Sequence, residues 1–208
     1  AEGVFTSGST FESQKEHYGD VKNRMKKYGR NPDAMKILPG LTPIIAKTDA
    51  EARDKDAYMQ SLIHPDVGKA FSEHILEADL SNYGIDEKLP LLPVTPQISG
   101  QARSIRERAY ANGWTIKDVY LNFAGSRGKL TMIGSFKSVA DQMQNWFENG
   151  ACDGFIFQPP YLPGGLHDIT QLLIPELQDR GLAPVAYDGE RLRDHMGLNR
   201  PQSRWRQN

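Results

Sequence analysis

The strongest constraint on the fold of this chain is a repeated alternation between short apolar segments and segments with helical periodicity. Apolar segments lie near residues 2–6, 35–46, 130–133 and 155–158, and each precedes a stretch whose apolar residues recur every three or four positions. Alternating strands and helices are typical of parallel strands joined by crossover helices. The sequence therefore predicts an α/β fold built on a parallel sheet.

Local capping signals mark where two of these helices begin. Ser9 and Glu12 have the spacing of a capping box, and so do Thr48 and Glu51. The second box predicts a helix that ends near Leu62. After the first box, apolar residues at spacings of three, four and seven predict one buried stripe: Phe11, Tyr18, Val21, Met25 and Tyr28.

The two segments with the clearest strand character differ in regularity. Pro39, Gly40 and Pro43 interrupt the segment 35–46, so we expect an irregular strand there. The segment from Phe155 to Gln158 has no such interruption and predicts a regular strand. A last major helix follows it, ends at Gly181, and carries four apolar residues: Ile169, Leu172, Leu173 and Leu177.

One long segment lacks a clear periodicity. Between His64 and Ile98 four prolines break the chain and only short apolar pieces separate them. Two helices follow, from about Gln101 to Ala111 and from Thr115 to Phe123. A connection of this length is typical of a functional excursion. The sequence thus predicts an irregular or helical insertion over about 64–128.

The number of strand–helix units is too small to close a barrel. A (β/α)₈ barrel needs eight strands and about 250 residues, whereas this chain has 208 residues and three or four such units. The chain also opens inside a strand, from Glu2 to Thr6. Either it forms a small open sheet or it is part of a barrel that other sequence completes. We favour the second interpretation and expect further sequence upstream.

Composition narrows the classes of function. The chain has 25 Lys and Arg against 26 Asp and Glu, which argues against general binding to nucleic acid or anionic membranes. No apolar run approaches the roughly 20 residues that span a bilayer. A single cysteine, Cys152, excludes an internal disulfide framework, and the five histidines lack metal-ligand spacing, so no metal site is predicted. The simplest compartment is the cytoplasm.

Two loops and one turn carry candidate functional residues. Arg127 and Gly128 lie in a glycine-rich loop that suits a lid over an anionic group, although a solvated loop arginine is the favoured alternative. Gln158 and Tyr161 follow a strand at the end where parallel βα proteins bind ligands. Pocket lining and a simple turn are equally compatible with that pair.

The turn at Gly134-Ser135 opens a helix and could offer free N–H groups to a phosphate. No GxGxxG or Walker pattern surrounds it, so a structural turn is favoured over an anion site. No Ser-His-Asp or Cys-His arrangement is legible, and no residue is identified as catalytic. If the protein is an enzyme, a cofactor is expected to supply the chemistry.

Several motifs, in order along nearly the whole chain, together resemble one subgroup of the luciferase-like flavin monooxygenases. This is the subgroup of nitrilotriacetate monooxygenase component A and dibenzothiophene-sulfone monooxygenase. The motifs that carry the resemblance are Tyr28 to Asp33, Ile37 to Ala52, Asp79 to Ser81, Leu89-Pro90, Ile133 to Ser135, Val139 to Gln142, Gly150 to Phe155, Pro175 to Gln178, Arg180 to Leu182, Leu192-Arg193 and Gly197 to Pro201.

The resemblance implies the C-terminal portion of a TIM (β/α)₈ barrel of bacterial-luciferase type, over residues 1–208, with a C-terminal tail over about 182–208. It also implies a two-component enzyme that uses reduced FMN, supplied by a separate flavin reductase, and O₂. The implied reaction oxygenates a small organic substrate, often with cleavage of a C–N or C–S bond. Homo-oligomers are common in the family. The alternative is a non-catalytic α/β barrel fragment or oligomerisation module.

The resemblance assigns few functional residues to this chain. The serine-bearing loop that holds the FMN phosphate in the family lies upstream of the segment matching residues 1–6, so no cofactor-binding residue is carried over. Arg127-Gly128 resembles the mobile loop that covers the active site, but Lys129 stands where relatives often have histidine. Ser135-Phe136 replaces a common Thr-Pro. Pro39-Gly40 fits the subgroup and argues against an alkanesulfonate substrate.

Overall fold

The computed structural model describes residues 1–7, 10–93, 96–124, 130–187 and 189–201, with only the backbone of Ala124. The chain divides into two compact units. The first, here called the sheet unit, comprises Ala1–Arg53 and Lys129–Asn208. The second, here called the helical unit, comprises Asp54–Gly128 and contains the predicted insertion.

The strands of the sheet unit are all parallel, as the alternating pattern predicts. They are β1 (Gly3–Thr6), β2 (Lys36–Ala46), β3 (Leu130–Ser135) and β4 (Ile156–Phe157). Strand β2 is the common partner of the other three. Its first residues pair with β1, its central residues with β4, and its carboxyl-terminal half with β3.

The irregular strand that the prolines predict is instead one continuous strand of 11 residues. Pro39 stands opposite Thr6, and Pro43 stands opposite Met132, without a break in register. Proline fixes a φ angle that extended backbone tolerates and removes only its own N–H donor. The neighbouring residues keep the ladder intact, so the two prolines do not divide β2.

Strand β4 is shorter than the segment Phe155 to Gln158 that the sequence predicts. Only Ile156 and Phe157 meet the criteria for a strand. The backbone N–H of Gln158 nevertheless donates to the carbonyl oxygen of Leu41 at 2.8 Å. The hydrogen-bond ladder therefore continues for one residue past the strand.

Helices cover one face of the sheet. Helix α1 (Phe11–Lys27) is capped by Thr10, whose hydroxyl accepts from the N–H of Ser13. The predicted cap at Ser9 was therefore wrong, and Ser9 itself lies outside the described residues.

Helix α6 (Phe136–Glu148, numbered after α2 to α5 of the helical unit below) packs Val139, Ala140, Met143 and Trp146 into the core. The core of the sheet unit is formed by Leu41, Ile45, Leu130, Met132, Val139, Ala140, Met143, Trp146, Ala151, Cys152, Ile169, Leu173 and Leu177.

The last long helix is continuous but changes its winding. It consists of α7 (Gly164–Asp168), a π-helical turn (Ile169–Leu173) and α8 (Ile174–Asp179). Pro175 would clash with the preceding turn of an ordinary α-helix, and a wider turn directly before it relieves that clash. Gly181, at φ 71°, follows the helix end, as the sequence predicts.

The helical unit contains most of α2 (Asp49–Ser61), together with α3 (Pro65–Leu76), α4 (Gly100–Asn112) and α5 (Ile116–Ala124). The sequence pattern does not predict α3, because a proline inside a segment normally breaks a helix. Pro65 is the first residue of the helix, where its missing N–H costs nothing, and His64 Nδ1 caps the helix by accepting from Asp66 N at 3.3 Å. Arg106 donates to the carbonyl oxygen of Leu76 at the other end.

A short helix, α9 (Leu192–His195), lies in the tail. Arg193 forms an ion pair with Glu2 and donates to the carbonyl oxygen of Asn199 at 2.7 Å. Within the described part of the chain, no helix is long and apolar enough to cross a membrane.

Candidate functional site

The carboxyl ends of the parallel strands form one edge of the sheet unit. β1 ends at Thr6, opposite Pro39, and β4 ends at Phe157, opposite Leu41. Parallel βα proteins bind their ligands at this edge, because the loops that follow the strands converge there. The candidate site is therefore sought among the side chains that reach this edge.

The two faces of the sheet differ in what covers them. Paired residues of parallel strands point to the same face, and Leu41 shares a face with Phe157 and Leu130, all three packed in the helix-covered core. Alternation places Phe5, Leu38 and Ile156 on the opposite face, here called the inner face. Phe5 is 47% exposed and Ile156 is 39% exposed. The inner face is thus apolar and open at Phe5 and Ile156, whereas Ile44 of β2, on the same face, is buried.

Gln158 lies where the inner face meets the carboxyl edge. Its side chain follows Ile156 on the same face, and its backbone N–H is bound to Leu41. The side-chain amide is partly exposed and makes no hydrogen bond to any residue that the structure describes. A fixed backbone with an available amide suits contact with the polar edge of a ligand.

Tyr161 lies three residues farther along the same loop. Its ring rests on Gly164 at the start of α7, and its hydroxyl donates to Asp168 Oδ2 at 3.4 Å. The side chain is 38% exposed. The structure thus places both Gln158 and Tyr161 in the loop after β4. The other two candidates, Arg127 and Gly128, lie outside the described residues.

The turn at Gly134-Ser135 already holds an anionic group from this chain. Asp49 Oδ1 accepts from the backbone N–H of Ser135 at 2.6 Å and from the hydroxyl of Ser138 at 2.7 Å. The backbone hydrogen bond from Ser135 is the main cause that lowers the pKa of Asp49, and the Ser138 and Ser135 hydroxyls add to it. A structural turn, rather than an anion site, is therefore what the geometry supports. No sequence pattern predicts Asp49 as the partner of this turn.

The described residues suit contact with the isoalloxazine ring of a flavin better than contact with its phosphate. The apolar inner face matches the apolar surface of an isoalloxazine ring, and the amide of Gln158 matches its polar edge. No comparable cradle for a phosphate occurs among the described residues, since Asp49 fills the helix start at Ser135. The described residues likewise include no group of three or more side chains able to hold a metal ion.

Comparison with known proteins gives a consistent set of relatives, although no family model matches the chain. The chain is 38% identical to nitrilotriacetate monooxygenase component A of Aminobacter aminovorans over 205 residues, which are 98% of this chain and 45% of that protein. It is 37% identical to N-acetyl-S-(2-succino)cysteine monooxygenase of Bacillus subtilis over 208 residues, which are 99% of this chain and 47% of that protein.

Solved structures agree with these sequences. DmoA from Hyphomicrobium sulfonivorans superposes with a TM-score of 0.78 at 27% identity, over 96% of this chain and 42% of that one. The long-chain alkane monooxygenase LadA superposes with a TM-score of 0.68 at 30% identity, over 95% of this chain and 41% of that one.

Parallel strands, crossover helices and an open carboxyl edge are the features of a partial TIM barrel, the fold that the chain shares with these monooxygenase structures. The chain belongs to the luciferase-like monooxygenase family, which confirms the resemblance seen in its motifs. It spans about half the length of the curated relatives it matches.

Proposed function

We propose that the chain is the carboxyl-terminal part of a two-component monooxygenase that uses reduced FMN and O₂ to oxygenate a small organic substrate. The observation that carries this proposal is the open inner face, whose apolar side chains Phe5, Leu38 and Ile156 stand beside the carboxyl edge. In a closed barrel this face would be interior. The coverage of relatives, 45% and 47% of their length, supports the same interpretation.

Exposure of these side chains costs the isolated chain stability. Full burial of a Phe or Ile side chain contributes about 1.5–3 kcal/mol, and Phe5 and Ile156 retain much of their exposure. Strands from the remainder of a barrel would remove this surface from water. Because the chain would form only part of the pocket, we expect the chain alone to be inactive.

The residues of this chain would serve the reaction by shaping the cavity. The inner face excludes water from one side of the bound flavin, and the Gln158 amide and Tyr161 orient a polar ligand edge. Reduced FMN, when bound, supplies the electrons that activate O₂. Its phosphate would be held by groups outside the described residues.

Substrate and partners are part of the proposal. Relatives are named for nitrilotriacetate, N-acetyl-S-(2-succino)cysteine and dibenzothiophene sulfone, compounds that contain C–N or C–S bonds. We propose oxidation of such a bond by this protein, with a flavin reductase as the source of reduced FMN. A cytoplasmic homo-oligomer is the expected form.

Flavin titration tests the proposal. The chain alone is compared with a chimera in which it follows the amino-terminal remainder of nitrilotriacetate monooxygenase component A. Quenching of FMN fluorescence should show no tight binding by the chain alone and stoichiometric binding by the chimera. With a flavin reductase, the chimera should consume O₂ in the presence of substrate.

A matched pair of variants locates the site within the chimera. Replacing Gln158 by Ala should weaken FMN binding about threefold to tenfold, the effect of one hydrogen bond. Replacing Gln101, exposed on α4, should leave it unchanged. Tight stoichiometric binding of FMN by the chain alone would contradict the proposal. A folded chimera without flavin affinity would favour a non-catalytic module.

A further inference from the structure

Gly164 occupies a position where the backbone does not need glycine. It is the first residue of helix α7, and it is not among the glycines with positive φ, which are Gly29, Gly113, Gly150, Gly154, Gly181 and Gly197. The backbone conformation at this position therefore does not require glycine.

The space beside Gly164 is filled by the ring of Tyr161. A Cβ atom at Gly164 would lie 2.5 Å from Cε2 of that ring and 3.2 Å from both Cζ and the hydroxyl oxygen. Contacts below 3.0 Å force a displacement. Because the ring is the outer end of a side chain that is 38% exposed, the ring would move and the helix would stay.

The neighbouring glycine has a different role. A Cβ atom at Gly165 would lie 3.0 Å from Cδ of Pro160, and Gly165 is buried. Gly165 thus allows the loop to pack on the helix, whereas Gly164 affects only the place of one aromatic ring. The hydroxyl of that ring is tied at its other end to Asp168.

We propose that Gly164 is a positioning residue, which holds the Tyr161 ring at the carboxyl edge as a contact for the bound flavin. This inference rests on the proposed function and adds the residue that fixes one wall of the site. Gly164 acts through Tyr161 and does not itself touch the ligand. Replacement by alanine is expected to leave the fold intact and to displace the ring.

The first test measures the ring in the chain alone. The protein is labelled with fluorotyrosine at its eight tyrosines, and the ¹⁹F resonance of Tyr161 is assigned by its loss in Tyr161→Phe. Gly164→Ala should shift this resonance and leave the others in place. Gly19→Ala is the matched control, because Gly19 is also helical and has nothing within 4 Å of its added Cβ. An unchanged Tyr161 resonance in Gly164→Ala overturns the proposal.

The second test measures FMN affinity in the chimera by a double-variant cycle. Gly164→Ala and Tyr161→Ala should each weaken binding about threefold to tenfold, in the range of an aromatic contact. The double variant should bind like Tyr161→Ala alone, because the glycine acts only through the ring. Unchanged affinity in Gly164→Ala, or factors that multiply in the double variant, overturns the proposal.

The two tests separate this inference from the proposed function. If the unsubstituted chimera fails to bind FMN, the proposed function fails, and with it the role of Tyr161 as a flavin contact. If the chimera binds FMN and the cycle shows no coupling, only the role of Gly164 fails. Thermal unfolding of Gly164→Ala should show stability equal to or above that of the unsubstituted chain, which excludes a general loss of structure.

Discussion

Lys22 and Asp153 form a buried ion pair at the amino ends of the strands, with Nζ 2.9 Å from Oδ2. Their side chains are 9% and 15% exposed. The same carboxylate accepts from the N–H of Ile37 at 2.8 Å and from the hydroxyl of Tyr18 at 3.1 Å. The pair therefore joins α1 to the start of β2 and to the segment that precedes β4. This is the stabilising end of a βα fold, opposite the ligand edge.

Removal of the Lys22 ammonium should be strongly destabilising. Its Nζ also donates to the carbonyl oxygens of Pro32 and Met35, so Lys22→Met leaves a carboxylate and two carbonyls without this donor. Breaking one side of a buried pair costs about 3–5 kcal/mol. Urea denaturation should show this loss, whereas Lys26→Met, exposed on the same helix, should change stability little. A loss no larger than that of the control would contradict the buried character of the pair.

The phenol of Tyr18 should ionise at a higher pH than that of an ordinary tyrosine. Burial, followed by the negative charge of Asp153, raises the pKa of Tyr18 to about 12. An unfolded tyrosine ionises near pH 10, so the unfolded chain ionises first. The resulting stabilisation is complete below about pH 10 and is lost as the pH rises toward 12. Tyr18→Phe should therefore lose less stability over this interval, and tyrosinate absorbance should lack one late step. The exposed Tyr58, replaced by Phe, provides the control.

Features set by neighbouring residues were predictable from the sequence. The capping box at Thr48 and Glu51 is confirmed, with the N–H of Glu51 3.2 Å from Thr48 Oγ1 and the N–H of Thr48 3.1 Å from Glu51 Oε2. The parallel sheet is confirmed for the same reason, since periodicity is local. Helix α3 was missed because proline breaks a helix interior but suits its first position, and the sequence alone did not distinguish these at Pro65.

The candidate site was only partly predictable. Gln158 and Tyr161 were found because both follow the same strand within a few residues. Asp49 was not, because its partner Ser135 is 86 residues away along the chain and the contact exists only after folding. Exposure of Phe5 and Ile156 was equally invisible, since both look like ordinary core residues in the sequence. Their role depends on what else completes the sheet.

Loss of the Asp49 carboxylate should weaken the start of α6 in a pH-dependent way. The hydrogen bond from Ser135, the largest cause, together with those from the Ser138 and Ser135 hydroxyls, lowers the pKa of Asp49 in the folded chain. A lowered pKa stabilises the fold above the unfolded value, and the contribution disappears as the pH falls through the folded value. Asp49→Ala should thus be less stable than the unsubstituted chain at neutral pH, and the difference should shrink as the pH falls below the ordinary aspartate pKa of about 3.9. Asp54→Ala, exposed on the same helix, provides the matched control.

The single cysteine should be inert in the folded chain. Burial raises the pKa of the Cys152 thiol to about 12, and the nearby Asp153 carboxylate acts in the same direction. The thiolate is the reactive form, and an exposed cysteine ionises near 8.5. Alkylation by iodoacetamide at about pH 8 should therefore be roughly a thousandfold slower in the folded chain than in urea. Fast labelling without unfolding would show that Cys152 is accessible and that this part of the core opens readily.

Substitution of Gly19 by alanine should stabilise the chain. Gly19 lies in the middle of α1, outside the group of glycines with positive φ, and nothing lies within 4 Å of an added Cβ. Glycine in a helix interior loses more conformational entropy on folding than alanine does, which amounts to about 0.5–1 kcal/mol. Thermal and urea unfolding of Gly19→Ala should show a gain of this size. The same change at Gly150, which has φ 71° after α6, should instead destabilise, because alanine is strained in the left-handed region. Equal effects at the two positions would mean that helix propensity and backbone angle do not govern these glycines.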